Sequence, residues 1–315
     1  MKVSVVIPCY YSEAMIAKVV RLTRDELKKG GFDYEFVLVN DGSTDGTFGQ
    51  IEMLCAEDDA VVGIDCTKNL GQHAALMAGL QHVDGELVML MDDDMQTHPS
   101  QCLTLIQAIL DHPECDIVFA SWRVHRESLW RRLGSRFATW SMRVMTGRPK
   151  GIYSGSFVVM RRCIRDEVVR YTGPYPYVHG LLFRSSDRMM NVEVEHYERA
   201  VGSSGYTMKS LIKLWASVLG FSMLPLRACS IMGAVLGVVG IVSAIAVAVQ
   251  RILDPTMQMG WPSLMAVILI CSGLILLSLG IIGEYLGRLF MTANNAPQYV
   301  VRKIVDNRDG EGIQR

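Results

Sequence analysis

The sequence predicts an α/β protein: a mostly parallel sheet flanked by helices, followed by a two-helix membrane hairpin. Two observations carry that expectation. Short apolar runs alternate with helix-length segments through the first hundred residues, and such alternation builds a parallel sheet. Two long uncharged runs, 228–250 and 261–283, then follow. Composition agrees with both. Of 315 residues, 50% are hydrophobic and 20% charged, below the roughly 25% charge of soluble domains. A chain this apolar is not disordered, and a net charge of −1 speaks against nucleic acid as a partner. The eight cysteines include no Cys-x-x-Cys pair, so they are read as buried reduced thiols. No secretory leader is expected, since Met1-Lys2 runs straight into a strand-like segment.

Taken in order, the strand-like runs are Val3–Ile7, Phe36–Asn40, Val61–Asp65 and Leu87–Met91. Between them Ala14–Gly30, Asp45–Asp58 and Gln72–Val83 have helical length. Ligands of such sheets bind outside the carboxyl ends of the strands, so the residues after each strand matter most. These are Pro8-Cys9-Tyr10-Tyr11-Ser12-Glu13, then Asn40-Asp41-Gly42-Ser43-Thr44-Asp45, then Lys68-Asn69-Leu70-Gly71-Gln72-His73, then Asp92-Asp93-Asp94-Met95-Gln96. The second segment also reads as a turn leading into a helix N-cap, and His73 reads as a capping residue.

Three successive carboxylates after a buried strand repel one another unless a cation or proton relieves them. Asp92 and Asp94 fall on one side of an extended chain. Oxygen ligands there suit Mg²⁺ or Mn²⁺, which draws further ligands from water and substrate phosphates. The next segment has the opposite sign. Arg123, Arg126, Arg131, Arg132, Arg136, Arg143, Arg148 and Lys150 face one acid, Glu127. They form a solvated helix face, a stripe on anionic lipid, or a guanidinium pocket for phosphate. An acidic metal site beside a basic one, next to a membrane hairpin, suggests two phosphate-bearing substrates, one a lipid.

Each uncharged run has 23 residues and, at 1.5 Å per residue, crosses a hydrocarbon core of about 30 Å. Their glycines suit close helix packing in a membrane. The connector has only Arg251 balanced by Asp254, whereas the outer flanks carry Lys209, Lys213, Arg227, Arg288, Arg302 and Lys303. This places both termini and the head in the cytoplasm. Residues 206–227 repeat apolar side chains at helical spacing and are read as helices on the membrane surface; packing on the head is the alternative. The expected organisation is a catalytic head over 1–205, surface helices over 206–227, a hairpin over 228–283 and a cytoplasmic tail over 284–315.

These residues together resemble glycosyltransferase family 2, and within it the membrane-anchored polyprenyl-phosphate glycosyltransferases. The resemblance runs through Val-Ile-Pro-x-Tyr at 6–10, Asn-Asp-Gly-Ser-Thr-Asp at 40–45, Asn-Leu-Gly-Gln-His at 69–73 and Asp-x-Asp-x-Gln at 92–96. It continues with Arg199, Gly202, Ser204 and Tyr206, Pro-Leu-Arg at 225–227 and Gly-Glu-Tyr-Leu-Gly-Arg at 283–288. It implies a nucleotide-sugar-binding head of the GT-A type. By this resemblance Pro8, Tyr10, Glu13, Asp41, Asn69, Gly71, Asp92 and Asp93 bind the donor. Asp92, Asp94 and Gln96 hold Mg²⁺ or Mn²⁺ and the diphosphate. Arg123, Arg126, Arg131, Arg132, Arg199 and Ser204 bind the lipid phosphate, and Asp92, Asp94 and Arg199 form the catalytic set. Ile152 stands where many relatives carry an Asp near the sugar.

The expected reaction is inverting transfer of a monosaccharide from a nucleotide-sugar, with UDP favoured over GDP, to a polyprenyl phosphate such as undecaprenyl phosphate. The product would serve cell-envelope glycan modification, for instance of lipopolysaccharide, at a bacterial inner membrane. Relatives assemble as homotetramers, so a homo-oligomer is expected. Two alternatives stay open: transfer to another lipid acceptor, for which Asp93 is the nearby candidate base, and a non-catalytic membrane scaffold or lipid carrier.

Overall fold

A computed structural model describes residues 1–122, 143–195, 224–253 and 260–308. The chain divides into two compact units, Met1–Val218 with Asn295–Arg315, and Leu219–Asn294.

The first unit is built on one eight-stranded sheet. Its strands are β1 (Lys2–Cys9), β2 (Asp33–Asn40), β3 (Val61–Cys66), β4 (Leu87–Leu90), β5 (Ile117–Ser121), β6 (Val158–Arg161), β7 (Met189–Glu193) and β8 (Val301–Val305), in the spatial order β7-β5-β6-β4-β1-β2-β3-β8. β1 lies between β2 and β4, parallel to both, and β2 is parallel to β3. β6 is antiparallel to β4 and β5, and β8 is antiparallel to β3. The helices are α1 (Ile16–Lys29), α2 (Thr47–Glu57), α3 (Gln72–Leu80), α4 (Cys102–Asp111), α5 (Arg162–Val168) and α6 (Val178–Ser185). The chain steps outward from β1 to β3, then returns through α3 to β4 on the other side of β1. The carboxyl ends of β1 and β4 therefore flank the point where strand order reverses, which is where open α/β sheets bind ligands.

Burial explains why these segments form these elements. β3 and β4 are buried along their whole length, as expected when helices cover both faces of a parallel sheet. α1 buries Ile16, Val19, Val20, Thr23 and Leu27, one stripe at helical spacing. α3 buries every residue from Ala74 to Leu80. Gly79 permits its close approach to the sheet, because a Cβ there would lie 2.4 Å from Val6 Cγ1.

The segment from 284 onward, expected to be a tail, begins as the end of a helix and contains β8. Val301–Val305 carries charge at Arg302 and Lys303 and so lacks the apolar look of the inner strands; it lies at the sheet's edge, and none of its residues is fully buried. Arg308 and Lys2 both reach the fully buried Glu35, each at 2.8 Å. The backbone N–H of Asp84 (2.7 Å) and the Ser4 hydroxyl donate to the same carboxylate. The Gly85 N–H adds a third neutral donor at 3.3 Å, so two cations and three neutral donors compensate a buried charge at the end of the sheet away from the site.

The second unit contains α7 (Leu224–Leu253) and α8 (Trp261–Ala293), of 30 and 33 residues. Both exceed the 23-residue uncharged runs, since the helices continue into their flanks. The Gly-Glu-Tyr-Leu-Gly-Arg motif lies inside α8, where Glu284 and Arg288 pair at 2.9 Å across one turn. Large apolar side chains such as Val238, Ile241, Leu276 and Leu279 are exposed. Within these helices Leu224–Ser243 and Ile270–Ala293 are long and apolar enough to cross a bilayer. All but residues 224–227 of the expected surface helices lie outside the described residues. All eight cysteines are free; five are buried as expected, but Cys163 and Cys271 are exposed and Cys229 is half-buried.

Candidate active site

Four loops after β1, β2, β3 and β4 converge at the carboxyl end of the sheet. Asp41, buried just after β2, accepts the backbone N–H groups of Leu70 and Gly71, both at 2.9 Å. This pins the β3–α3 loop, Asn69 and Gly71 included, to the β2 end. Asn40 closes the turn beneath it, accepting Ser43 N–H at 3.2 Å and donating its amide to the Asp65 carboxylate at 2.7 Å. Gly42 occupies the left-handed region, with φ of 68°. Its bare Cα faces the Lys68–Asn69 backbone, which a Cβ would meet at 2.5 Å. Asp45 accepts the backbone N–H and hydroxyl of Thr47, so this segment is both a turn with a helix start and part of the loop cluster.

The β1 loop is fastened to the same frame. Pro8 sits in β1 opposite Val39, while Tyr10 and Tyr11 are half exposed and meet edge to face. Tyr11 has φ of 55°, an uncommon conformation for an aromatic residue. It is held by its N–H to Ser43 Oγ (3.1 Å) and its hydroxyl against Thr44 Oγ1 (3.0 Å). Glu13 accepts Gly46 N–H at 2.9 Å beside the start of α2.

The three carboxylates behave differently. β4 ends at Leu90 rather than Met91, so Asp92–Asp94 lie in a bend. Asp92 and Asp94 still face one crevice, shared with Met91, Gln96, Thr97, Trp122, Ser156 and Phe157. Gln72 donates its side-chain amide to Asp92 at 2.6 Å, and the Gln96 N–H donates to Asp94 at 3.1 Å. Asp93 turns inward and takes the Ser12 hydroxyl. Burial pushes its carboxyl above the ordinary range, partly opposed by that hydrogen bond and reinforced by the neighbouring Asp94. A buried carboxylate bonded to Ser12 holds the β1 and β4 loops together.

Asp92, Asp94, Gln96, Thr97 and Ser156 offer an all-oxygen donor set, which fits a hard divalent cation. Among the described residues no three His, Cys, Asp or Glu side chains cluster as metal ligands. Such an ion would therefore complete its shell from Gln96, water or substrate phosphate. Arg123, Arg126, Arg131, Arg132, Arg199 and Ser204 lie outside the described residues.

Gln72, Thr97, Trp122 and Ser156 contribute without a signal in the sequence. The motif holding Gln72 is read through Asn69 and Gly71, and Thr97 lies just past the Asp-x-Asp-x-Gln segment. Trp122 and Ser156 come from segments with no motif of their own. His73 does not cap α3, whose N-cap is Gly71 with no side-chain bond. Instead its ring lies 4.8 Å from Tyr177 and 5.6 Å from His179, and its Nδ1 is buried without a hydrogen-bond partner. Burial lowers its pKa to about 3, so it is neutral at physiological pH. His179 Nε2 donates to the Gly155 carbonyl at 3.0 Å, steadying the strand entry that carries Ser156. His98 caps the turn before α4, its Nδ1 accepting Ser100 N–H at 3.2 Å.

Residues 4–168 match the family described as glycosyl transferase family 2, and residues 224–289 match the GtrB C-terminal hairpin. The chain is 31% identical over 308 residues to the undecaprenyl-phosphate 4-deoxy-4-formamido-L-arabinose transferase of Proteus mirabilis, covering 96% of this chain and 94% of that protein. It is 29% identical to the protein of the same name from Photorhabdus laumondii, covering 98% and 96%. Among solved structures, glucosyl-3-phosphoglycerate synthase of Mycobacterium tuberculosis in complex with Mn²⁺ and uridine-diphosphate-glucose aligns with a TM-score of 0.52 at 18% identity. That alignment covers 70% of this chain and 79% of the synthase. It bears out the GT-A type of sheet.

Proposed function

Because the chain belongs to glycosyl transferase family 2 and its residues 224–289 match the GtrB C-terminal hairpin, we propose that it moves a monosaccharide from a nucleotide-sugar to undecaprenyl phosphate. The observation that carries this reading is the crevice of Asp92, Asp94 and Gln96 at the strand-order reversal, in a chain with two bilayer-length helices. Both curated relatives above are undecaprenyl-phosphate sugar transferases by name, and the aligned synthase was solved with Mn²⁺ and a UDP-sugar. A UDP-sugar is therefore the favoured donor.

Tyr10, with its half-exposed ring, offers a face for the base, and Asp41 orders the Asn69–Gly71 loop beside it. Asp92, Asp94 and Gln96 supply oxygen ligands for Mg²⁺ or Mn²⁺, an ion that offsets the negative charge of the departing diphosphate when bound. The acceptor phosphate has a second pKa near 6 and is largely dianionic at neutral pH. One of its oxygens forms the bond to the anomeric carbon as the bond to the nucleoside diphosphate breaks, with inversion. No proton has to leave the attacking oxygen, so no general base is required. Asp93, buried on Ser12, is then a structural group. The arginines between 123 and 132, with Arg199 and Ser204, orient the lipid phosphate. The uncharged spans and the basic flanks favour an inner-membrane hairpin with the head and both termini cytoplasmic, and two spans alone favour a homo-oligomer.

A transfer assay tests this. Protein in detergent receives undecaprenyl phosphate, Mn²⁺ or Mg²⁺ and a panel of UDP- and GDP-sugars, and lipid products are read by mass spectrometry. One donor giving a sugar-phosphate-lipid is the expected result. Donor hydrolysis with no lipid product would overturn the acceptor assignment.

A further inference from the structure

The C-terminal strand reaches the donor loops directly. Arg302 on β8 places Nη1 3.3 Å from the Asp65 carboxylate and Nη2 3.2 Å from the Thr67 carbonyl. Thr67 N–H donates to the carbonyl of Val300, the residue just before β8, at 2.9 Å, so β8 and its lead-in grip the loop's first residue from two sides. Asp65 is buried, 5% exposed, and among the described residues Arg302 is the one cation paired with it. The other Asp65 oxygen accepts the Asn40 amide at 2.7 Å, and Asn40 closes the turn that carries Asp41. Asp41 in turn holds the N–H groups of Leu70 and Gly71. The loop from 67 to 71 is thus clamped at its start by β8 and at its end by Asp41, and both clamps meet at Asp65.

We propose that Arg302, delivered from beyond the membrane hairpin, is a positioning residue for the donor-binding loop, acting through Asp65 and Asn40. The Arg302 side chain is 62% exposed while that of Asp65 is 7% exposed, so the pair is half in water. Removing the cation leaves a mostly buried carboxylate without its counter-charge, and the relief is for Asp65 to swing out toward the solvent Arg302 vacates. That movement releases the Asn40 amide and loosens the turn under Asp41. Arg302 itself touches no substrate. The inference builds on the nucleotide-sugar reading of the site, but its first readout does not depend on any ligand.

The test uses full-length protein in detergent and compares wild type, R302A, R302K, D65N and the double variant. Hydrogen exchange of peptides covering 67–71 should accelerate at least tenfold in R302A while peptides from α4 stay unchanged. R302K, which keeps a charge on Asp65, should restore most of the protection. In D65N no buried charge requires Arg302, so adding R302A should change exchange by less than threefold. Calorimetry with UDP and Mn²⁺ should show a five- to tenfold weaker Kd in R302A, with kcat at saturating donor within twofold of wild type. Unaltered exchange at 67–71 in R302A would overturn the proposal, as would equal losses from R302A in the wild-type and D65N backgrounds. Wild-type protein that binds no UDP would instead refute the donor reading, with the exchange data still deciding the role of Arg302.

Discussion

Replacing Gly42 with alanine tests the loop frame most directly. Gly42 has φ of 68°, and a non-glycine residue in that region costs about 1–2 kcal/mol. The added Cβ would also lie 2.5 Å from Asn69 N and from Lys68 C, where ordinary contact begins at 3.4 Å. Those neighbours are backbone, so no rotamer change relieves them, and the loop must retreat by about 1 Å. A misplacement of about 1 Å near reacting groups lowers rate on the order of 10²-fold. The conformational cost corresponds to a Tm lowered by roughly 2–8 °C for a domain of this size. We expect G42A to fold, melt lower by that amount, and lose about 10²-fold in kcat/KM for the nucleotide-sugar. The KM for polyprenyl phosphate should be nearly unchanged. Steady-state kinetics with each substrate varied in turn, alongside a thermal melt, measures all three. A G42A enzyme with wild-type donor kinetics would show that the 40–43 turn and the 68–71 loop do not need to touch.

Asp94→Asn should abolish transfer at any Mg²⁺ or Mn²⁺ concentration while leaving the melting curve intact; turnover restored by raised metal would limit Asp94 to affinity. Asp93→Asn acts on stability and has a worked sign. Burial raises the folded-state pKa of Asp93 above its unfolded value of 3.8. Ionising it therefore destabilises the fold increasingly as pH rises through the folded pKa, and the penalty vanishes below 3.8. Melts in EDTA should show D93N gaining on wild type at pH 8 and losing that advantage near pH 3.5; a constant difference across pH would mean Asp93 carries no burial penalty.

Much of the inner sheet is legible because parallel strands covered on both faces must be apolar without alternation. Val3–Ile7, Phe36–Asn40 and Val61–Asp65 each sit inside the observed strand, and Leu87–Met91 overruns its strand by one residue. β8 is not legible for the complementary reason: an edge strand may carry Arg302 and Lys303, and its partner β3 lies more than two hundred residues earlier. The crevice of Asp92, Asp94 and Gln96 could be anticipated from three carboxylates after a buried run. What could not be anticipated is their division of labour. Which of three adjacent carboxylates turns inward depends on Ser12, 81 residues away, and Gln72 reaches Asp92 only because α3 crosses back over the sheet. Glu13 shows a further tie invisible in the sequence: one of its carboxylate oxygens holds the Gly46 N–H at the start of α2.

β8 also sets an order for biogenesis. The strand that covers the open side of β3 is synthesised after both bilayer-length helices, so a nascent head emerges with β3 as an unpaired edge. Exposed edges recruit other chains, and this one stays open until the hairpin has left the ribosome. Completion of the head's sheet thus comes after synthesis of the membrane helices. A fragment cut before residue 224 would keep the crevice and the Asp41 loop but lack the strand, the Arg302 clamp and the Arg308 cation on Glu35. Such a fragment would be aggregation-prone however well its first hundred residues fold.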